Sequence, residues 1–126
     1  MRFRVLMAVL CLGGAVLAQE KKYDLTLADV AVHRDASSVI IDGRLENSGD
    51  KTLKKLKYFI EFRDPDQKTV STRNGEVEKK AFQPGDDWEF HAQVPDSVRA
   101  VDIVFRFEES SGRVVGAANS GPFTIE

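Results

Sequence analysis

The sequence predicts an all-β protein whose strands pair antiparallel in a two-sheet sandwich of about seven to eight strands. The first observation is a pair of segments, residues 39–47 and 53–64, in which apolar side chains recur at alternate positions on either side of a polar turn. Such alternation is typical of strands that bury one face. The second is that turn-forming residues recur roughly every 8 to 12 residues, as in sandwiches. No segment beyond residue 18 shows a helical period.

The chain begins with the layout of a secretory signal peptide. Arg2 and Arg4 are followed by an apolar run at residues 5–17 and by small residues that end at Ala18. This run is shorter than the roughly 20 residues that span a membrane. We therefore predict a helical signal peptide at residues 1–18, a periplasmic or secreted protein, and no membrane insertion after cleavage.

A single cysteine, Cys11, lies inside this leader. A lipid-carrying cysteine normally follows a small residue, and here it follows Leu10, so we expect no lipid anchor. Because the cleaved chain has no cysteine, we also expect neither disulfides nor thiolate metal ligands. Its stability is then expected to come from packing.

The rest of the chain has the size of one domain. A short tether at residues 19–24 precedes the predicted sandwich domain at residues 25–126, and one core is normal at this length. The whole chain has 18 basic and 20 acidic side chains, a formal net charge of −2, which becomes −4 when Arg2 and Arg4 leave with the leader. Such a mild charge argues against nucleic acid or an anionic membrane as the main partner.

The strands follow in order along the domain. The first, from Leu25, changes the phase of its alternation between Leu27 and Val30, which predicts a bulge near Ala28 and Asp29. The two segments described above come next. Further strands are expected at residues 68–72, 76–82 (a charged edge strand), 88–94, 101–107, 114–115 and 123–125, with turns at 64–67, 74–75, 83–86 and 95–97.

Three groups of residues have a recognisable spacing: Gly43, Leu45, Asn47 and Gly49 at alternate positions; Tyr58, Ile60, Phe62 and Asp64 likewise; and Pro84-Gly85 ahead of Trp88 and Phe90. Together they resemble FxLYD-type domains, which are immunoglobulin-like modules of bacterial and archaeal exported proteins. Of the name-giving motif, residues 60–64 retain the aspartate. The resemblance covers most of residues 39–107. It implies an extracytoplasmic immunoglobulin-like β-sandwich without an assigned activity, so it supplies no catalytic residues.

Two of these residues also predict local structure. Gly43, inside a strand, indicates a close approach by a facing aromatic side chain such as that of Trp88. Asn47 is expected to bond backbone groups where its strand enters the turn.

Catalytic chemistry has little support in the sequence. The two histidines, His33 and His91, are expected at the surface, and no zinc-protease, phosphate-loop or nucleophile-elbow motif is present. We therefore predict that the protein is not an enzyme and needs no cofactor. An enzyme that uses His91 is the third hypothesis.

Aspartates in the predicted turns support the second hypothesis. Calcium binds several converging oxygens, and end loops of a sandwich that brought Asp64, Asp66 and Asp86 together would form such a site. The alternative function is therefore a carbohydrate- or calcium-binding accessory domain that uses the loops around Asp64 and Asp86. Aspartate is equally expected in turns for its hydrogen bonding to the backbone.

The first hypothesis is a protein-binding surface on an outer sheet face or an edge strand. Phe59 is expected to point outward with Lys57, where a solvated face does not favour an aromatic side chain. Ile40 and Val104 raise the same question on strands expected to neighbour that of Phe59, and together they would make an outward apolar patch. We expect Phe59, Lys57 and Ile40 to contact another protein of the cell envelope or the secreted medium.

Overall fold

Eleven strands make up the computed structural model of the chain, which describes residues 23–97 and 99–126. The predicted signal-peptide helix at residues 1–18 lies outside the described residues and stays a prediction. The strands are β1 (Leu25–Asp35), β2 (Ser38–Asn47), β3 (Leu53–Lys54), β4 (Lys57–Arg63), β5 (Thr69–Glu76), β6 (Ala81–Phe82), β7 (Asp87–Pro95), β8 (Asp102–Glu108), β9 (Val114–Val115), β10 (Ala117–Ala118) and β11 (Phe123–Thr124).

Nine of the strands form two sheets, and the predicted all-β two-sheet sandwich is confirmed. The first sheet has the order β10-β1-β2-β7. The second has the order β11-β8-β4-β5, with β9 also paired to β8. The short strands β3 and β6 pair with each other outside both sheets. Within the described residues the ladders are antiparallel except that of β1 with β10.

The core lies between the sheets and follows the period-two pattern. Val39, Ile41 and Leu45 of β2 and Ile60 and Phe62 of β4 belong to one buried cluster, and none is more than 2% exposed. Each such side chain contributes about 1.5–3 kcal/mol relative to an exposed one. The predicted inward faces of β2 and β4 are therefore confirmed.

The predicted bulge in β1 is also confirmed. The register of β1 against β2 shifts between Ala28 and Ala31, and Asp29 has a φ of 57°. The extra residue changes the phase of the strand, so that Leu27 and Val32 are both buried. In a regular strand two residues five positions apart would point to opposite faces.

The predicted turn at Asn74-Gly75 is wrong. β5 runs through both residues to Glu76 and pairs them with Phe59 and Tyr58 of β4. Gly75 is needed for another reason, because a Cβ atom there would lie 2.5 Å from the Tyr58 hydroxyl oxygen. The ring of Tyr58 therefore lies against the backbone of β5.

The predicted edge strand at residues 76–82 is wrong over most of its length. Apart from Glu76, which ends β5, only Ala81–Phe82 lies in a strand, and it pairs with Leu53–Lys54. Before it, Val77 is buried and its backbone N donates to Leu56 O at 2.9 Å. The segment thus connects β5 of the second sheet to β7 of the first, and β5 is the edge strand of the second sheet.

The side chain of Asn47 joins the segments at one end of the sandwich, as the sequence predicts for this residue. It is 2% exposed. Its Nδ2 donates to Phe82 O at 2.7 Å and to Lys51 O at 2.8 Å, and its Oδ1 accepts from Gly49 N at 3.1 Å. All three bonds go to backbone groups, so one buried amide holds the turn after β2 against β6.

The backbone of Asn47 extends the same network. Its N donates to Asp86 O at 3.0 Å and its O accepts from Gly85 N at 2.9 Å. Both partners lie in the predicted turn at residues 83–86, which is confirmed by the 2.9 Å bond from Asp86 N to Gln83 O. Because β7 begins directly after this turn, Asn47 also determines where β7 starts against β2.

One side of the sandwich is closed by the C-terminal segment. Strands β9 and β11 pair with β8 of the second sheet, and β10 between them pairs with β1 of the first. At the end of the segment, Ile125 N donates to Val101 O at 2.9 Å and Glu126 N donates to Val32 O at 3.1 Å. The segment therefore bonds to both sheets along this side.

The opposite side is bordered by β7 of the first sheet and β5 of the second. Each of these strands pairs with a single neighbour, and no strand of residues 23–97 or 99–126 lies between them. The sandwich is thus closed on one side and open on the other.

Replacing Asn47 by aspartate tests the role of the amide. The variant keeps the shape and the Oδ1 acceptor but loses both Nδ2 donors, which leaves two buried carbonyls without these partners. We expect the free energy of unfolding to fall by about 2–4 kcal/mol in urea denaturation near neutral pH. The matched change Asn74→Asp, on exposed β5, is expected to cost well under 1 kcal/mol, in the range of about ±0.5 kcal/mol typical of surface substitutions. Equal losses would contradict the assignment.

Candidate functional site

A cleft of about 180 Å³ opens between β5 and β7 on the open side of the sandwich. Its walls are mostly aromatic, and its mouth is acidic. The residues that line it are Tyr58, Ile60, Glu76, Glu78, Trp88, Glu89, Phe90, His91, Ala92, Phe105 and Phe107. We call it the β5–β7 cleft.

The cleft exists because the inner face of β7 is apolar whereas that of β5 is not. Trp88, Phe90, Ala92 and Val94 of β7 all point toward the core but are only half-buried. The residues of β5 that share the inner face pair with Phe62, Ile60 and Tyr58 and are Ser71, Arg73 and Gly75. None of these three offers an apolar surface to β7, so the sheets do not close on each other there.

The aromatic side chains form a continuous row from the mouth of the cleft into the core. The ring centroids of Tyr58 and Trp88 are 6.0 Å apart, those of Trp88 and Phe90 are 5.3 Å apart, and those of Phe90 and Phe105 are 5.8 Å apart. These distances are favourable for aromatic pairs. Phe105, at the inner end of the row, is buried, whereas Tyr58, Trp88 and Phe90 keep part of their surface accessible.

Glycine allows this row to lie so close to the backbone. A Cβ atom on Gly43 would lie 2.6 Å from the Phe90 ring. The sequence predicts a close approach at Gly43 by an aromatic such as Trp88, and the approach is confirmed, but the aromatic is Phe90. The register explains the difference, because Gly43 pairs with Phe90 while Trp88 pairs with Leu45.

Three glutamates line the rim of the cleft: Glu76 and Glu89, at outward positions of β5 and β7, and Glu78, which follows β5. None of them forms an ion pair within 4 Å with a cationic group of the described residues. The lining contains no lysine or arginine. Its histidine, His91, is exposed on the outer face, where its Nδ1 contacts Asp42 Oδ1 at 2.5 Å. The cleft is therefore aromatic inside and negatively charged at its mouth.

The backbone of β7 is unpaired along the cleft. The backbone N and O of Asn47 both bond to the turn that leads into β7. Because backbone groups alternate in direction along an antiparallel ladder, the N–H and C=O groups of the other odd-numbered residues of β2 also point toward β7. Their partners in β7 are the even-numbered residues. The N–H and C=O groups of Glu89, His91 and Gln93 consequently point to the open side and have no strand beside them in the part of the chain that the structure describes.

The predicted binding residues do not form one patch. Lys57 and Phe59 lie on β4 in the second sheet, whereas Ile40 lies on β2 in the first sheet, so they are on opposite outer faces. Ile40 is 9% exposed between His33 and Gln93 of the neighbouring strands. The prediction that Phe59 and Ile40 share one patch is therefore wrong. Alternation shows which face of a strand is buried but not which sheet the strand joins.

Phe59 is already covered within the domain. The guanidinium carbon of Arg106 lies 4.3 Å from the centre of its ring, a favourable cation–π distance. Arg106 also bonds to Glu61 Oε2 at 3.2 Å and to Glu108. The outward aromatic that the sequence singles out is thus held under an arginine, and Lys57 beside it is exposed. Contact of these residues with a partner stays a prediction.

The aspartates of the second hypothesis are not brought together. Asp64 and Asp66 follow the last residue of β4, whereas Asp86 bonds through its backbone to Asn47, whose network precedes the first residue of β4. The two loops therefore lie at opposite ends of the sandwich. In residues 23–97 and 99–126 no three His, Cys, Asp or Glu side chains are grouped closely enough to hold a metal ion.

Asp64 instead forms the turn that the sequence predicts at residues 64–67. It is 5% exposed, and its Oδ1 accepts from Lys68 N at 3.0 Å and from Asp66 N at 2.9 Å. The bond from Lys68, followed by that from Asp66, keeps the pKa of Asp64 below its usual value, against the opposite effect of burial. Asp86 has a similar role, since its Oδ2 accepts from Gln83 N at 2.9 Å.

The β5–β7 cleft is a site that the sequence reasoning did not predict. One signal was present, because residues 88–94 alternate clearly between apolar and polar while residues 69–76 have almost no apolar side chain. Two neighbouring edges with such different inner faces cannot bury each other. Recognising them as neighbours, however, requires the topology.

The sequence matches no protein-family model and no curated protein. The solved structures that resemble the fold include the following two. IrmA from Escherichia coli is 15% identical, with a TM-score of 0.50 over 84% of this chain and 99% of that chain. β-Glucosidase 3B from Thermotoga neapolitana, solved in complex with glucose, is 18% identical, with a TM-score of 0.44 over 80% of this chain and 16% of the enzyme.

At such low identity the likeness to IrmA shows the fold alone, a β-sandwich of similar length. This chain corresponds to a small part of the β-glucosidase. Within residues 23–97 and 99–126 the structure has no helix that would span a membrane.

Acid denaturation tests the role of Asp64. A carboxylate whose folded pKa is lowered adds stability above its unfolded pKa, near 3.8, and loses it as the pH falls through the folded value. We expect Asp64→Asn to be less stable than the wild type near pH 6 and the difference to shrink steadily below about pH 4. Urea unfolding at several pH values measures it. A difference that stays constant down to pH 2 would contradict the proposed cause.

The contact of Gly43 with Phe90 is tested by a double-mutant cycle. Gly43→Ala is expected to lower the free energy of unfolding by about 1–3 kcal/mol, because the new methyl group meets the Phe90 ring. In the Gly43→Ala/Phe90→Leu variant the ring is gone, so the combined loss should be smaller than the sum of the two single losses. Trp88 is the single tryptophan of the chain, and its fluorescence follows the unfolding. Strictly additive losses would refute the contact.

Proposed function

We propose that the protein is an exported, non-catalytic binding module that receives an extended segment of another envelope or secreted protein as an added strand on β7. The leader at residues 1–18 and the resemblance to FxLYD-type domains support the extracytoplasmic part of the proposal. The observation that carries the binding part is the unpaired backbone of Glu89, His91 and Gln93 beside the open β5–β7 cleft.

The edge of β7 is better suited to an added strand than the edge of β5. The register of β7 against β2 is continuous over its whole length, whereas β5 has an irregularity opposite Phe62 and Arg63. β7 also presents half-buried Trp88 and Phe90, which an added strand would cover. Main-chain bonds would then supply affinity and the cleft would supply side-chain selectivity.

Of the two kinds of surface that the sequence leaves open, the edge strand is favoured over the outer sheet face. The aromatic of that face, Phe59, has its ring covered by Arg106, so it has less apolar surface to offer a partner. The aromatic surface of the cleft has no such cover among the described residues. Lys57, which is exposed, remains a candidate contact on the second sheet.

The geometry at His91 supports a non-catalytic role. Its Nδ1 faces Asp42, but no hydroxyl of the described residues bonds to its other ring nitrogen. An acid–base pair without a nucleophile within hydrogen-bond reach lacks the third group that covalent catalysis needs.

Site-specific photo-crosslinking in intact cells tests strand addition. With the crosslinking residue at position 91, we expect one dominant protein adduct. Gln93→Pro should abolish it, because proline removes an outward N–H without removing a bond to β2. Gln93→Ala, which keeps the N–H, should leave it unchanged.

Two controls make this experiment decisive. The thermal midpoints of the two Gln93 variants show that each has folded. A second crosslinking residue at Lys57 reports on the outer face of the second sheet. An adduct at position 57 with none at position 91 would contradict strand addition on β7 and would place the binding site on the outer face of the second sheet.

A further inference from the structure

We infer that the strand received by β7 carries a long basic side chain, arginine or lysine, at the position that faces the β5–β7 cleft. This inference rests on the proposed function and names the chemistry of the partner. It follows from the direction of the side chains of an added strand, from the charge at the mouth and from the aromatic walls.

The direction of the side chains follows from sheet geometry. An added strand would extend the first sheet, and its alternate side chains would point to the inner face. There they would lie beside Trp88 and Phe90 of β7 and opposite the edge of β5, where Glu76 ends the strand. A short side chain at this place would leave the cleft open.

The charge at the mouth selects the sign of that side chain. Glu76, Glu78 and Glu89 are unpaired among the described residues, and no lysine or arginine lines the cleft. An acidic side chain would meet three like charges, whereas a basic one would complement them. Lys55, Lys79 and Lys80 line a separate hollow with Glu76 and Glu78, and Lys57 pairs with Glu76 across β4 and β5, but none of these lysines lines the cleft.

The aromatic walls select a basic side chain with a long aliphatic stem. Such a stem covers apolar surface while its charged end stays near water. In the cleft the stem would lie along Phe90 and Trp88, and the charged end would reach the carboxylates at the mouth. A cation beside Trp88 or Tyr58 gains further from the electron-rich ring faces.

A second copy of the same chain is a poorer occupant. Pairing β7 with β7 of another copy would add Glu89 and Asp87 to a mouth that is already acidic, and β7 contains no lysine or arginine. Like charges on adjacent strands are destabilising. The charge of the site therefore favours a different, basic segment.

Peptide titrations of the full chain test the inference, with Trp88 fluorescence as the reporter because it is the only tryptophan and lies in the cleft. The probes are two acetylated, amidated peptides as long as β7, one of alternating threonine and arginine and one of alternating threonine and glutamine. We expect the arginine peptide to bind about tenfold more tightly at moderate salt.

The variant Glu76→Gln/Glu78→Gln should lose most of this preference. Asp50→Asn/Asp66→Asn, which removes the same charge from exposed positions outside the cleft, should keep it. Equal loss in both variants would reduce the preference to net charge and overturn the inference.

The Gln93→Pro variant separates this inference from the proposed function. If both peptides bind equally and Gln93→Pro abolishes both, strand addition stands and the basic selectivity is wrong. If the arginine peptide binds and is indifferent to Gln93→Pro, the cleft takes a cation without strand addition and the proposed function is wrong. If neither peptide binds, both proposals fall.

Discussion

The buried amide of Asn47 is the interaction on which the rest of the arrangement depends. It ends β2, holds the following turn against β6, and bonds through its backbone to the turn that starts β7. These bonds set the register of β7 on β2. The register in turn places Phe90 over Gly43 and Trp88 at the mouth of the cleft. A buried polar group that is fully bonded in one arrangement leaves costly unpaired groups in any other, so one residue at the end of the sandwich determines the geometry of its open side.

Much of the fold can be predicted from local pattern. Alternation identifies the inner faces of β2, β4, β7 and β8, and a change of phase identifies the bulge at Asp29, because these features depend on neighbours in the chain. Turn chemistry is similarly local, as Asp64 and Asp86 show. Gly75 is the instructive failure. Asn-Gly is a strong turn signal, but this glycine is needed because the ring of Tyr58 lies against it. Tyr58 belongs to β4, and local pattern does not show that β4 pairs with residues 74–75.

The candidate site was harder to predict for the same reason. Alternation predicts that Phe59 faces outward, but Arg106, which covers its ring, lies on β8. Alternation also suggests one patch of Phe59 and Ile40, although the two lie in different sheets. The β5–β7 cleft results from two edges whose inner faces differ in character, and neither edge is unusual by itself. A cleft of this kind forms where two segments distant in sequence leave apolar surface unburied between them. It can be recognised only when the topology shows that the two segments are neighbours.

The C-terminal segment has a consequence for how the chain acquires its structure. Leu25, at the start of β1, pairs with Ala117, and the last residue bonds to the same strand at Val32. The edge of β1 therefore stays unpaired until residues 117–126 reach it, and closing such a long loop is entropically slow. Before this closure both the edge of β1 and the edge of β7 are open to other strands, so the docking of the C-terminal segment halves the number of edges of the first sheet at which another chain could pair.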